Sequence, residues 1–130
     1  VDELRSTAVE FLDNGGGQGE EACNYCRGKK NPSSSDNPDK AIISLKNDRE
    51  TSYKIYIAVQ NELVAAYNEL RNREFLRLNP TMGMNFVEAN SKYNDPRTSE
   101  EVRDELRPKL DEVKKMFPQK LSEAEPSKTS

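Results

Sequence analysis

Two cysteines three positions apart, in Cys23-Asn24-Tyr25-Cys26, are the residues of this chain whose spacing best suits chemistry. Such a pair can close a local disulfide, hold a metal as thiolates or carry electrons. A structural zinc site wants four ligands, and the chain offers two thiolates and no histidine. A thioredoxin-type pair follows a strand and opens a helix. This pair lies in a Gly-, Ser- and Asn-rich stretch, with a strand after it. A disulfide that staples the loop is the favoured reading. Idle thiols, and metal or redox work, are the alternatives, and the redox compartment decides among them.

Asp48 and Glu50, in Asn47-Asp48-Arg49-Glu50, are the other candidates, as paired carboxylates for acid–base work. They have no acidic partner elsewhere and no nucleophile in view. Turn chemistry explains them better, because Asp and Thr side chains satisfy free backbone N–H groups where a strand passes into a helix. The absence of histidine removes the commonest general base and the commonest metal ligand together. Gly15-Gly16-Gly17 is not a dinucleotide-binding fingerprint, since no strand precedes it and no helix opens directly after it. The expectation is a protein with no catalytic, cofactor-binding or metal site, one that works by binding a partner.

Composition points the same way. The chain has 130 residues, enough for one domain, and 33% of them are charged against 33% hydrophobic. With a mean hydropathy of -0.98, it can build one modest core and must carry long solvated segments. A net charge of -3, with basic and acidic residues interleaved, argues against nucleic acid as the partner. No apolar run approaches the roughly 18 residues of a membrane span. Val1 opens directly into Asp2-Glu3-Leu4, inside a helical pattern and without Met. That reads as a piece of a longer protein, whose anchor or targeting segment would lie upstream.

The elements that must position these residues follow from periodicity. Leu4, Ala8, Phe11 and Leu12 predict a helix over roughly residues 2–13, stopped by Asn14 and the glycines. Residues 14–39 then read as a flexible loop holding both cysteines. Ala41, Ile43 and Leu45 alternate with Ile42, Ser44 and Lys46 and predict a strand over roughly 40–46. Thr51 or Ser52 can cap the helix that follows, roughly 52–78, with Tyr56, Val59, Leu63, Ala66 and Leu70 as its stripe. Its tyrosines, Tyr53, Tyr56 and Tyr67, read as core residues whose hydroxyls reach the surface. Residues 79–98 look irregular. Thr98-Ser99-Glu100-Glu101 is a capping box for a further helix, in which Pro108 is expected to kink the chain or to start a second helix. Roughly residues 119–124 could form an edge strand, and the tail past Pro126 is expected to be disordered.

One stretch resembles the ExbD/TolR family of biopolymer transport proteins. It runs from Ala41 through Leu45, Asn47, Asp48, Arg49 and Tyr53, and continues through Tyr56 to Leu63. In that family a periplasmic strand ends in a polar turn with an Asp, and a helix with a matching apolar stripe follows. The ending Lys120-Leu121-Ser122-Glu123-Ala124-Glu125-Pro126 resembles the last strand of the same domain in one branch of the family. The first helix would match the one before the central strand. The resemblance covers about half the chain, and it sets residues 79–117 apart as a helical insertion. It also implies strands before the first helix that are missing here.

The resemblance implies an α/β (α+β) fold in which a small mixed sheet carries helices on one face, over residues 1–126 as a single periplasmic domain with 127–130 as a tail. It implies the coupling domain of a proton-motive-force-driven energy transducer. Its partners would be an ExbB/TolQ-type channel protein and a TonB-like protein, or a Tol–Pal-type system. The family's proton-carrying Asp lies in a membrane helix outside this sequence, so Asp48 does not take that role. The setting would be a single-span inner-membrane protein of a Gram-negative bacterium. If the domain is periplasmic, Cys23 and Cys26 should be joined as a disulfide. Two short strands alone leave unpaired edges, so a homodimer is expected, either by strand pairing, with Ser122 on the edge strand, or by the 52–78 helix packing on its copy. A stand-alone periplasmic adaptor, docking through its two long helices, is the alternative.

Overall fold

The computed structural model describes residues 3–46 and 52–124. Four α-helices dominate them: α1 (Leu4–Leu12), α2 (Tyr53–Leu78), α3 (Phe86–Asn94) and α4 (Glu100–Met116). Two four-residue strands, β1 (Ile43–Lys46) and β2 (Leu121–Ala124), make one parallel ladder. This overturns the expected α/β layout of a mixed sheet with helices on one face: the protein is mostly helical, and its helices pack chiefly on one another. The physical reason lies in residues 79–117. Their apolar side chains have helical spacing, and they cover the C-terminal half of α2 with helices. Only two segments have the alternation a strand needs, so the ladder stops at a strand pair.

The core runs along α2 in three steps. At its N-terminal end Leu63 and Ala66 meet Ala8 of α1 and Leu45 of β1, with Val59 and Ile43 alongside. In the middle Tyr67 and Leu70 meet Leu12, Ala41 and Phe117. At its C-terminal end Phe75 packs with Phe86 and Ala89 of α3 and with Leu106, Leu110 and Val113 of α4. Burying each of the larger of these side chains contributes about 1.5–3 kcal/mol. The alternation of the first strand segment is visible in exposure: Ala41 and Leu45 are buried, whereas Ile42 is 60% exposed. The strand itself begins only at Ile43, because Lys40 and Ala41 are held in a turn by the carbonyls of Asn37 and Pro38.

Helix α2 starts at Ser52, whose hydroxyl accepts the Ile55 N–H at 3.2 Å. Its first turns overhang the core. Tyr53 is 77% and Ile55 54% exposed, whereas from Val59 onward α2 packs against α1 and β1. Of the three tyrosines expected in the core, Tyr67 is fully buried, Tyr56 is half-buried and Tyr53 stands in solvent.

Helix α3 lies inside the stretch that reads as irregular. Its start is a full capping box: Asn85 Oδ1 accepts the Glu88 N–H at 2.9 Å, and Glu88 Oε1 accepts the Asn85 N–H at 3.1 Å. Helix α4 is capped one residue later than expected, by Ser99, whose hydroxyl accepts the Val102 N–H at 3.3 Å. Thr98 instead donates its hydroxyl to the Lys92 carbonyl at 2.6 Å and so joins α3 to α4. Pro108 does not start a second helix. It sits on the exposed side of one continuous helix, where neighbouring carbonyls can turn toward water.

Candidate docking site

The ladder and the loop that braces it are where the chain's distinctive residues meet. β1 and β2 pair with Ile43 opposite Leu121, Ser44 opposite Ser122, Leu45 opposite Glu123 and Lys46 opposite Ala124. The Ile43 N–H donates to the Lys120 carbonyl at 3.0 Å. In a parallel ladder that bond sets the rest of the pattern. The N–H of Ser122 turns inward to the Ile43 carbonyl, and the N–H of Ser44 turns outward. Position 122 therefore spends its N–H on the pair within the chain, while β2 remains an edge strand of the two-stranded ladder. The outward edge of β1, at Ser44, has no strand partner among the described residues.

Three contacts fix where β2 begins. Tyr67 Oη accepts the Lys120 N–H at 3.3 Å. Lys120 Nζ donates to the Asp39 carbonyl. Arg71 Nε donates to the Phe117 carbonyl at 3.0 Å, and its guanidinium lies 5.3 Å from the centre of the Phe86 ring. Burial raises the Tyr67 hydroxyl above its ordinary pKa, so it remains a neutral partner. Burial also lowers the pKa of Arg71.

The 14–39 segment is tied down rather than flexible. Asn14 is buried, and its amide nitrogen donates to the carbonyls of Asn31 at 2.9 Å and Ser35 at 2.8 Å. Its Oδ1 accepts the Asn31 N–H at 3.1 Å. Cys23 and Cys26 are joined as a disulfide and both are buried. Gly15, at φ +64°, lies so close that a Cβ there would come within 2.7 Å of Cys26 Cβ. Between the cysteines, Tyr25 donates its hydroxyl to the Met116 carbonyl and sets its ring edge-on to Phe117, with centroids 5.4 Å apart. Burial, with help from the charges of Asp39 and Glu74, pushes the Tyr25 pKa up to about 12.

Under this loop runs a chain of charges that sequence reasoning missed. Arg73 bonds Asp13 at 2.7 and 2.9 Å, Glu74 at 2.8 Å and the Tyr25 carbonyl at 3.2 Å. Glu74 is wholly buried, and Arg77 Nε donates to its other oxygen at 2.7 Å. Burial works against the charge of Arg73, but the hydrogen bonds it donates to Asp13 and Glu74 outweigh it and raise the pKa. Two signals could have found this cluster. Glu74 continues the Tyr67–Leu70 stripe onto the buried face of α2. Asp13 sits at a helix C-terminus, where a carboxylate is disfavoured unless paired.

The expected site residues thus divide. Cys23 and Cys26 are bonded, and Leu45, Leu121, Ser122, Glu123 and Ala124 share the ladder. Tyr53 and Tyr56 lie on the first turns of α2. The turn residues Asn47, Asp48, Arg49 and Glu50, the candidate cap Thr51, and the ending Glu125 and Pro126 fall outside the described residues, as does the 127–130 tail. Among the described residues no cluster of acidic or cysteine side chains could hold a metal ion, and no helix is long and apolar enough to cross a membrane. What the arrangement can do chemically is present a braced strand edge to another chain. Compared with known protein families, with curated proteins and with solved structures, the chain matches none of them.

Proposed function

We propose that this chain is the periplasmic coupling domain of a proton-driven energy transducer of the ExbD/TolR kind, with no catalytic activity of its own. One observation carries the reading. The two segments that bear the family resemblance, around 41–63 and 120–126, are far apart in sequence, yet their described parts are hydrogen-bonded to each other in register as β1 and β2. The Cys23–Cys26 disulfide supports an oxidising compartment such as the periplasm. In this reading a membrane segment N-terminal to Val1 anchors the domain in the inner membrane of a Gram-negative bacterium, beside an ExbB/TolQ-type channel protein. The outward edge of β1 takes a second copy of the chain or an extended segment of a TonB-like partner, since strand addition uses main-chain hydrogen bonds.

A stand-alone periplasmic adaptor is the second reading. Leu76 on α2 and Val87 on α3 favour it, being 47% and 42% exposed and well away from the ladder. The full open reading frame separates the two. A single upstream apolar segment of about 20 residues holding one Asp supports the transducer. A cleavable signal peptide supports the adaptor. In cells, a photo-crosslinker at Ser44 of the full-length protein should trap a TonB-like protein or a second copy. Crosslinks found only at Leu76 and Val87 would favour the adaptor.

A further inference from the structure

We propose that the Cys23–Cys26 bond is a thiol–disulfide exchange site, attacked at Cys26 by an anionic thiolate, and that its reduction loosens β2. The proposal stands on the geometry of the loop and does not rest on the transducer reading. Although both cysteines are largely buried, they are not equivalent. Cys26 lines an open cavity of about 320 Å³ together with Asn24, Tyr25, Arg27 and Arg77, and Cys23 does not. Two arginines, Arg27 and Arg77, therefore line the same cavity as Cys26. Arg77 is held by Glu74, whereas the Arg27 side chain has no partner among the described residues. A thiolate is the attacking species in exchange, and a positive rim raises its local concentration.

The exchange balances with a dithiol as reductant. Its thiolate attacks Cys26 Sγ, forms a mixed disulfide and breaks the bond to Cys23, which leaves as a thiolate and takes a proton from water. The second thiol of the reductant then attacks its own sulfur in the mixed disulfide and releases Cys26. The reductant ends as a disulfide, and the chain has gained two electrons and two protons.

The effect on the fold follows from Tyr25, which the bond confines between its two ends. Its hydroxyl holds the Met116 carbonyl, its ring holds Phe117, and its own carbonyl is held by Arg73. Phe117 lies just ahead of β2, and Arg71 holds the Phe117 carbonyl. Opening the disulfide frees the loop around Tyr25, and with it the anchor that sets the start of β2.

The test uses the oxidised chain and two monothiols at equal thiolate concentration, anionic mercaptoethanesulfonate and cationic cysteamine, with acid quenching and mass mapping of the adducts. The expected adduct is on Cys26, and the rate ratio of anionic to cationic thiol should fall roughly threefold or more in Arg27→Gln. An adduct on Cys23, an unchanged ratio, or reaction only under unfolding conditions would overturn the exchange site. Amide exchange after reduction with dithiothreitol reads the second half. Faster exchange confined to residues 117–124, with α2 still protected at Leu63–Leu70, is the expected result. Unchanged exchange at 117–124, or loss of protection throughout α2, would overturn the coupling.

Discussion

Arg73 grips Asp13 with both ends of its guanidinium, Nη1 to Oδ2 at 2.7 Å and Nη2 to Oδ1 at 2.9 Å. That pair fastens the C-terminal end of α1 to α2, beside a wholly buried Glu74. Removing the guanidinium leaves both carboxylates short of a partner. Arg73→Ala is therefore expected to cost about 2–4 kcal/mol, somewhat under the range for a fully buried pair because Arg73 keeps some contact with water. Urea unfolding measures it. Arg73→Lys should recover less than half of the loss, since an ammonium cannot bridge Asp13, Glu74 and the Tyr25 carbonyl together. Full recovery by lysine would show that charge alone matters there.

Tyr25 gives the fold an alkaline limit. Its folded pKa of about 12 lies above the ordinary value of 10.0. Its contribution is thus fully present below pH 10.0 and fades as pH rises through about 12. The loss should reach about 1–2 kcal/mol, discounted because the ring is only partly buried. Tyr67 is also raised by burial and adds a loss of the same sign. Chemical denaturation across this range should show a shallower slope in Tyr25→Phe. A slope equal to the wild type's would mean that the hydroxyl is not shielded in solution.

Asn14 closes the long loop with a single side chain. Replacing it with alanine removes three hydrogen bonds and takes the acceptor from the Asn31 N–H, whereas the carbonyls of Asn31 and Ser35 keep the backbone N–H groups of Ser34 and Gly16. The expected cost is about 1–3 kcal/mol. Faster amide exchange should appear at Lys30 and Asn31, with little change in α3 and α4. A loss spread evenly over the molecule would contradict this local role.

Two prolines separate the two edges of the ladder. Ser122→Pro removes the N–H that β2 turns toward Ile43, so it should weaken β1–β2 pairing itself. Ser44→Pro removes an outward N–H and should leave the fold intact while blocking strand addition from outside. Sedimentation across a concentration series, with circular dichroism as the check on folding, reads both. If Ser44→Pro associates as the wild type does, the β1 edge is not the pairing surface.

Much of this was legible in the sequence, for reasons that can be stated residue by residue. The Leu63–Leu70 stripe and the alternation from Ala41 to Leu45 are local patterns, and each shows in the burial of those side chains. Helix α3 was hidden because a nine-residue helix holding only Phe86 and Ala89 as buried residues makes too short a stripe, although Asn85 and Glu88 spell out its cap. The loop reads as flexible from its Gly, Ser and Asn content, yet those side chains are what tie it down through Asn14. The expected fold class fails because two strand-like segments suggest a sheet, while residues 79–117 supply helices that cover α2. Asp13 and Arg73 lie 60 positions apart, and no periodicity announces a contact across that distance.

Tyr25 and Met116 are 91 positions apart, and their hydrogen bond joins the loop ahead of β1 to the residues just ahead of β2. A contact that spans so much of the chain carries a loop-closure cost that local helices do not. Helices α2, α3 and α4 can collapse on neighbours close in sequence, whereas β2 can register only once both distant ends have been brought together. The ladder should therefore be a late event in folding, with transition-state structure concentrated in α2 and its helical partners. By the same logic its opening in the native state should cost less than that of α2. The edge best suited to receive another chain is thus also a part of the molecule that costs less to rearrange than its longest helix.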